Sequence, residues 1–279
     1  MNSKYFNIKV KPTIKASDQH AGAFAAHDLL FDWVSFDMPK GGACLRGATV
    51  LVRGVDGAAQ TARDFTLFFA TPSMDGTAPT SLGAENATIN GVGYFNNLIG
   101  AVAMDANDNA GSLDFTNIMS TGGGAGADQI PFTVIEGRPH LTKNGYNKVY
   151  LGGAAGASCT WDFSTAVVTS RAVDVSGLSA AQLVNADIQG TDPRTVFAPG
   201  DIIHAEDDVV VGEIESMADA NTITFKADGS DTESETSYTV PADLTAWKIQ
   251  NGAGAAGDLA SGDELYNVNP ITLILHFEK

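Results

Sequence analysis

Positive charge is scarce in this chain. Lys and Arg number 16 against 33 Asp and Glu in 279 residues, which gives a net charge of −17 at pH 7. A surface with that balance repels phosphates and anionic lipid, so nucleic acid and membrane are poor partners. Cysteine is nearly absent: Cys44 and Cys159 are too few for a disulfide framework or a four-thiolate zinc site, and both are expected as small core fillers. Long apolar runs are missing too. The longest, 98–104 and 271–275, fall far short of the ~20 residues that a spanning helix needs, and no basic-then-apolar leader opens the chain. The expectation is a soluble protein made without a signal peptide.

Recognisable chemistry is also lacking. The five histidines, His20, His27, His140, His204 and His276, accompany no Gly-x-Ser-x-Gly elbow and no Cys–His signature. His20 and His27, seven residues apart, have no evident third metal ligand. The run Asp105-Ala106-Asn107-Asp108-Asn109 has oxygens at the 1, 3 and 5 spacing of a calcium loop, but Ala110 stands where the turn glycine belongs and Thr116 where the bidentate acid belongs. No phosphate-binding loop occurs. The expectation is therefore no enzyme, no catalytic residues, no metal and no cofactor.

What remains is strand texture. Phe6, Ile8, Val10 and Ile14 alternate with polar residues, and Ile271, Leu273, Leu275 and Phe277 repeat that period of two at the other end. Between them, 29–36, 48–53, 65–70, 98–104, 130–135, 148–151 and 166–175 are rich in Val, Ile, Phe or Thr and are bounded by Gly, Pro, Asn or Asp. Only 19–28 and 179–186 read as helix, and neither sustains an apolar stripe over three turns. The fold class expected is all-β, a jelly-roll-like β-sandwich. Trp33, Trp161 and Trp247 fall within the expected strands and read as core residues.

Near residue 172 the texture changes. Residues 1–171 carry 12 basic and 14 acidic side chains, close to neutral, whereas 172–279 carry 4 and 19, a net of −15. Short strands at 201–205, 209–216, 222–226, 236–240 and 246–249 suit a small β-barrel inserted near the C-terminus. The division expected is 1–172 plus 263–279 as the sandwich and 173–262 as the acidic insertion, with 271–277 pairing back into the sandwich.

Two features look built for contact. Lys4, Lys9, Lys11 and Lys15 all precede the first acid, Asp18, and with Tyr5 they make a short basic arm that can pair by strand addition. The Gly-rich stretches 120–127, with Gly122, Gly123 and Gly124, and 152–156 read as loops that can approach a partner backbone closely.

Three segments carry a resemblance. The runs Leu30-Phe31-Asp32-Trp33-Val34-Ser35-Phe36-Asp37-Met38-Pro39-Lys40-Gly41, Leu45-Arg46-Gly47-Ala48-Thr49-Val50-Leu51-Val52-Arg53-Gly54 and Asp64-Phe65-Thr66-Leu67-Phe68-Phe69-Ala70 resemble accessory virion structural proteins of tailed bacteriophages, notably marine ones. The ending 269–279 is similar in flavour. The resemblance implies a non-enzymatic assembly protein located in the virion and assembled in the host cytoplasm. A capsid decoration or cement protein on the outer head surface is the first expectation. A tail or neck component, or a carbohydrate-binding module, is the alternative. The partners implied are the major capsid protein or another virion protein, together with further copies of this chain in a homo-oligomer, a trimer.

Overall fold

The computed structural model describes all of the chain except residues 1–3, 55–57, 90, 107–108, 122–132, 157–159, 164–166, 170–172, 175–181, 184–187, 191, 206–207, 209, 221, 226–257 and 260–263. In chain order the strands begin with β1 (Tyr5–Val10), β2 (Leu29–Pro39), β3 (Ala43–Arg53), β4 (Phe65–Ala70), β5 (Leu98–Met104), β6 (Asn109–Leu113) and β7 (Thr116–Ser120). They continue with β8 (Thr133–Ile135), β9 (Arg138–Pro139), β10 (Tyr146–Ala155), β11 (Val167–Thr169), β12 (Val173–Asp174), β13 (Gln182–Leu183) and β14 (Ile188–Gly190). The last are β15 (Ile202–Ala205), β16 (Val210–Asp219), β17 (Thr222–Phe225), β18 (Asp258–Leu259), β19 (Leu265–Asn267) and β20 (Ile271–Glu278). One short helix, α1 (Ala16–His20), follows β1.

The chain is an all-β sandwich. One sheet has the order β1-β20-β3-β7-β6 with β8 added along β3, and the other has the order β2-β10-β4-β5 with β9 added along β10. All their pairings are antiparallel. The alternation in β20 explains its place. Ile271, Leu273, Leu275 and Phe277 are fully buried, while Thr272, Ile274, His276 and Glu278 are half-buried on the opposite face. Such a strand has one face for a core and one for water, and it is hydrogen-bonded on both sides, by β1 and β3. Across the core it meets Phe65, Leu67 and Phe69 of β4, Val149 and Leu151 of β10, and Leu30, Phe36 and Met38 of β2. Trp161 is buried there too, reached through an isolated bridge to Phe24 and set edge-on to Phe65 at 6.4 Å between ring centres.

A second sheet system has the order β13-β17-β16-β15-β19 and its own apolar cluster of Val196, Phe197, Ile203, Ala205, Val211, Ile214, Ile223, Phe225 and Leu265. Among the described residues it is an open sheet, not the expected closed barrel: β13 pairs only β17 and β19 pairs only β15, so the two edges do not meet. The small sheet also takes β19 from beyond residue 262. The pairs β11–β14 and β12–β18 complete the described strands.

Three local expectations are corrected. The helix read at 19–28 is instead α1 at Ala16–His20. Gly22 (φ 123°) and His27 (φ 70°) take left-handed backbone that no right-handed helix accepts, and Phe24 is drawn into the sandwich core. His20 and His27 therefore do not share a helical face. Residues 182–183, expected in the second helix, are β13. Gly152 and Gly153 lie inside β10, not in a loop. A Cβ on Gly152 would lie 2.5 Å from Leu82 Cδ1, and one on Gly153 would run into the Phe31 ring, so these glycines let large side chains lie flat on the sheet. The strands expected at 236–240 and 246–249, with Trp247, lie outside the described residues. Among the described residues no helix is long and apolar enough to cross a membrane.

Candidate functional site: the open edge of β1

Among the described residues β1 ends its sheet, and its register decides what that edge offers. Lys4 and Lys279 exchange both backbone hydrogen bonds, at 3.0 and 2.9 Å. In an antiparallel ladder hydrogen-bonded pairs alternate with non-bonded ones, so Phe6, Ile8 and Val10 direct their backbone groups toward β20 while Tyr5, Asn7 and Lys9 direct theirs outward. Among the described residues these outward groups bond to no other backbone, and the edge is a ready template for one more strand. The same residues, Tyr5, Asn7 and Lys9, carry exposed side chains, whereas Phe6 and Ile8 pack against the core.

The face beside the edge is ordered by side-chain hydrogen bonds running across four strands. His276 Nδ1 lies 2.9 Å from Asn7 Oδ1, His276 Nε2 lies 3.0 Å from Thr49 Oγ1, and Thr49 Oγ1 lies 3.1 Å from Ser120 Oγ. One assignment satisfies all three: Nδ1–H donates to Asn7, Thr49 donates to Nε2 and Ser120 donates to Thr49. At the end of the strand the Tyr5 hydroxyl donates to Glu278 Oε1 at 3.1 Å, and Arg46 Nε pairs with Glu278 Oε2 at 3.1 Å. The bond to Glu278 and its negative charge hold the Tyr5 phenol above its ordinary pKa.

Charge gathers at this corner against the trend of the chain. Lys279 Nζ donates to the Lys40 carbonyl, which brings the exposed ends Lys40 and Lys279 together beside Lys4. Arg46, paired with Glu278, adds a fourth cation at this end, with Glu136 packed near Gly42 at the rim, while Lys9 lies toward the other end of β1, opposite Ile274. The edge is a basic site on an acidic molecule.

Of the arm residues singled out in the sequence, Lys4, Tyr5 and Lys9 lie on this edge. Lys11 and Lys15 are half-buried beyond the end of β1 and serve the chain's own carboxylates. Lys11 lies close enough to Asp201 to favour its charge, as does Arg53, whose Nη2 sits 3.0 Å from Asp201 Oδ1; burial nonetheless keeps the Asp201 pKa raised. Lys15 supports Glu85, where its backbone N–H and its charge act against the burial and the Asp18 carboxylate that push Glu85 up to about 8. Gly122, Gly123 and Gly124 lie outside the described residues. Lys40, Arg46 and Lys279 were not singled out in the sequence, since only the pairing of β20 between β1 and β3 puts them beside Lys4. Among the described residues no group of three or more His, Cys, Asp or Glu is arranged to hold a metal ion.

The arrangement can hold an extended, acidic segment. Backbone groups of three alternate residues would give it direction, and the surrounding ammonium and guanidinium groups would favour Asp or Glu in it. Compared with known proteins, the chain matches no described family and no curated sequence.

Proposed function

We propose that this chain is a non-enzymatic structural protein of a tailed-bacteriophage virion, a decoration or cement protein on the outer head surface, assembled in the host cytoplasm. The observation that carries this reading is the open β1 edge inside a basic corner. An edge strand left unpaired is a hazard for a protein that works alone and an asset for one that is built into a larger surface. The partner is the major capsid protein or another virion protein that offers an acidic extended segment. The neutral N-terminal portion then faces the assembly and the −15 portion faces solvent, where its field is screened within ~8 Å at physiological salt and keeps particles apart. Function of this kind comes from repetition, and a symmetric trimer bound at many equivalent sites makes weak edge contacts add up.

The test is incorporation into particles. The double variant Lys4→Glu, Lys9→Glu reverses charge at two exposed side chains and leaves Phe6, Ile8 and Val10 in the core, so it should fold as the parent does while its copy number per head falls by about tenfold or more. Lys9→Pro, which removes an outward N–H and no bond to β20, should act in the same direction. Occupancy equal to the parent's in both variants rejects the edge as the docking element, and density for the chain on the tail in place of the head rejects the decoration reading.

A further inference from the structure

Between β4 and β5 the other sheet carries a long loop whose character differs from that of the β1 edge. The 27 residues from Thr71 to Asn97 contain no Lys or Arg and only two acids, Asp75 and Glu85. Glu85 is half-buried against Asp18, and the exposed Asp75 accepts from Thr77, whose N–H and hydroxyl donate to it at 3.0 and 2.7 Å. This surface is also where exposed apolar side chains gather. Met74 is 94% exposed, Val92 65%, Phe95 60% and, from the neighbouring turn, Leu141 77%.

These residues form one patch because the loop is tied at its neck. Thr71 N–H donates to the Asn97 carbonyl at 2.8 Å, and Asn97 Nδ2 donates back to the carbonyls of Thr71 and Pro72 at 3.1 and 3.2 Å. That clamp sets the turn holding Met74 beside the turn holding Phe95. Gly76 lies under Leu141: a Cβ there would come 2.5 Å from Leu141 Cδ1. Farther along, Trp33 Nε1 donates to the Thr80 carbonyl at 2.9 Å, and the Trp33, Tyr94 and Phe95 rings follow one another edge-on at 6.4 and 5.5 Å. The patch is therefore pinned to β2 and is not a loose strap.

We infer that this sparsely charged loop face is where copies of the chain meet one another. Two identical molecules of net charge −17 repel wherever their acidic surfaces face, and they cannot offer each other complementary charge there. An apolar surface with almost no charge is the place where like-charged copies come together without opposing fields. Interface cores are depleted in charge and enriched in aromatic residues and Met, as Met74, Tyr94 and Phe95 are here. The exposed side chains Met74, Val92 and Phe95, joined by Leu141, give such a contact an apolar centre. Because the patch consists of two turns, a ring of copies can seat the Met74–Leu141 turn of one against the Val92–Phe95 turn of the next. The contact concerns the isolated protein and stands or falls separately from docking through β1.

Sedimentation velocity of the full chain tests it, in concentrations rising to about 100 μM, where an interface of standard size populates the assembly. Association should tighten several-fold from 0.1 M to 1 M salt, because screening shortens from about 10 Å to about 3 Å and relieves the repulsion between copies. Met74→Glu, at a side chain too exposed to disturb folding, and Phe95→Asp should each weaken it on the order of tenfold or more. Leu113→Asp, another exposed apolar site, on the β6–β7 hairpin, should leave it unchanged. A monomer throughout, association that weakens with salt, or equal losses for Met74→Glu and Leu113→Asp would each overturn the inference.

Discussion

Across the sandwich, Phe31, Leu67, Phe69, Leu273 and Phe277 belong to one core shared by two sheets, whereas among the described residues the small sheet rests on a cluster of nine from Val196 to Leu265. The small sheet compensates through polar contacts with the stretch around α1. Ile14 N–H donates to the Val268 carbonyl at 2.8 Å, Gln19 Nε2 donates to the Asn267 carbonyl at 3.0 Å, and Asn269 Nδ2 donates to the Pro12 carbonyl at 2.9 Å. Ser17 donates to the Asp208 carboxylate through its N–H at 3.1 Å and its hydroxyl at 2.6 Å, and Arg53 reaches Asp201. A small core cannot set its own position by apolar burial alone, so directional bonds to the sandwich do part of that work. Its interior also tolerates a polar group: His204 is 1% exposed, and among the described residues neither of its ring nitrogens has a hydrogen-bond partner.

Truncating a large ring in each core breaks the comparison most sharply. Phe31→Ala and Phe225→Ala each remove a fully buried phenyl, which costs about 3–5 kcal/mol. In the first, hydrogen exchange should speed up in β20 and β16 alike. In the second, β15–β17 should exchange faster while β20 stays protected. Equal protection losses in both variants would show one cooperative unit.

Acid and base should then separate the regions. Burial lowers the His204 pKa from 6.5 to about 4, with the Asp208 charge opposing the shift. A group whose folded pKa is depressed in this way favours the folded state fully above pH 6.5, and that stability is lost as pH falls toward 4. Glu85, within the loop between β4 and β5, behaves in the opposite sense. Its pKa rises from 4.5 to about 8, so the stability it confers is complete below pH 4.5 and is lost as pH climbs to 8. The two slopes oppose each other between pH 4.5 and 6.5. Above 6.5 the fall belongs to Glu85 and should flatten in Glu85→Gln; below 4.5 it belongs to His204 and should flatten in His204→Leu. Each slope is of order 1 kcal/mol per pH unit at most. Urea unfolding at pH 4, 6 and 8 reads both, and unchanged slopes in the variants would assign the pH dependence elsewhere.

The smallest effect comes from the seam. Ser17→Ala removes one hydroxyl from the Asp208 carboxylate and leaves the backbone bond, a loss of about 0.5–1.5 kcal/mol. Faster exchange at Asp208 and in β15, with the sandwich core unaffected, would show that the small sheet is steered from α1. No change there would leave the Ile14, Gln19 and Asn269 bonds as the steering contacts.

Period-two alternation was sufficient, by itself, to identify β1, β20 and the all-β class, because a strand with one buried face must alternate wherever it pairs. Composition likewise determined that one part of the chain is nearly neutral and the other strongly acidic. Neighbours decided the rest. Gly152 and Gly153 read as a loop because glycine usually marks one, and only the rings of Trp33 and Phe31 lying over β10 show that the missing Cβ atoms make room for packing. Residues 19–28 have helical composition, yet Phe24 gains more by entering the core than the segment gains by coiling, so the helix stops at His20. Four lysines look alike in sequence. The end of β1 at Val10 leaves Lys4 and Lys9 on an open edge and sends Lys11 and Lys15 toward Asp201 and Glu85. Lys40, Arg46 and Lys279 join that edge because β20 is inserted between β1 and β3, a pairing across more than 200 residues that local chemistry does not encode and that burial of a shared core does.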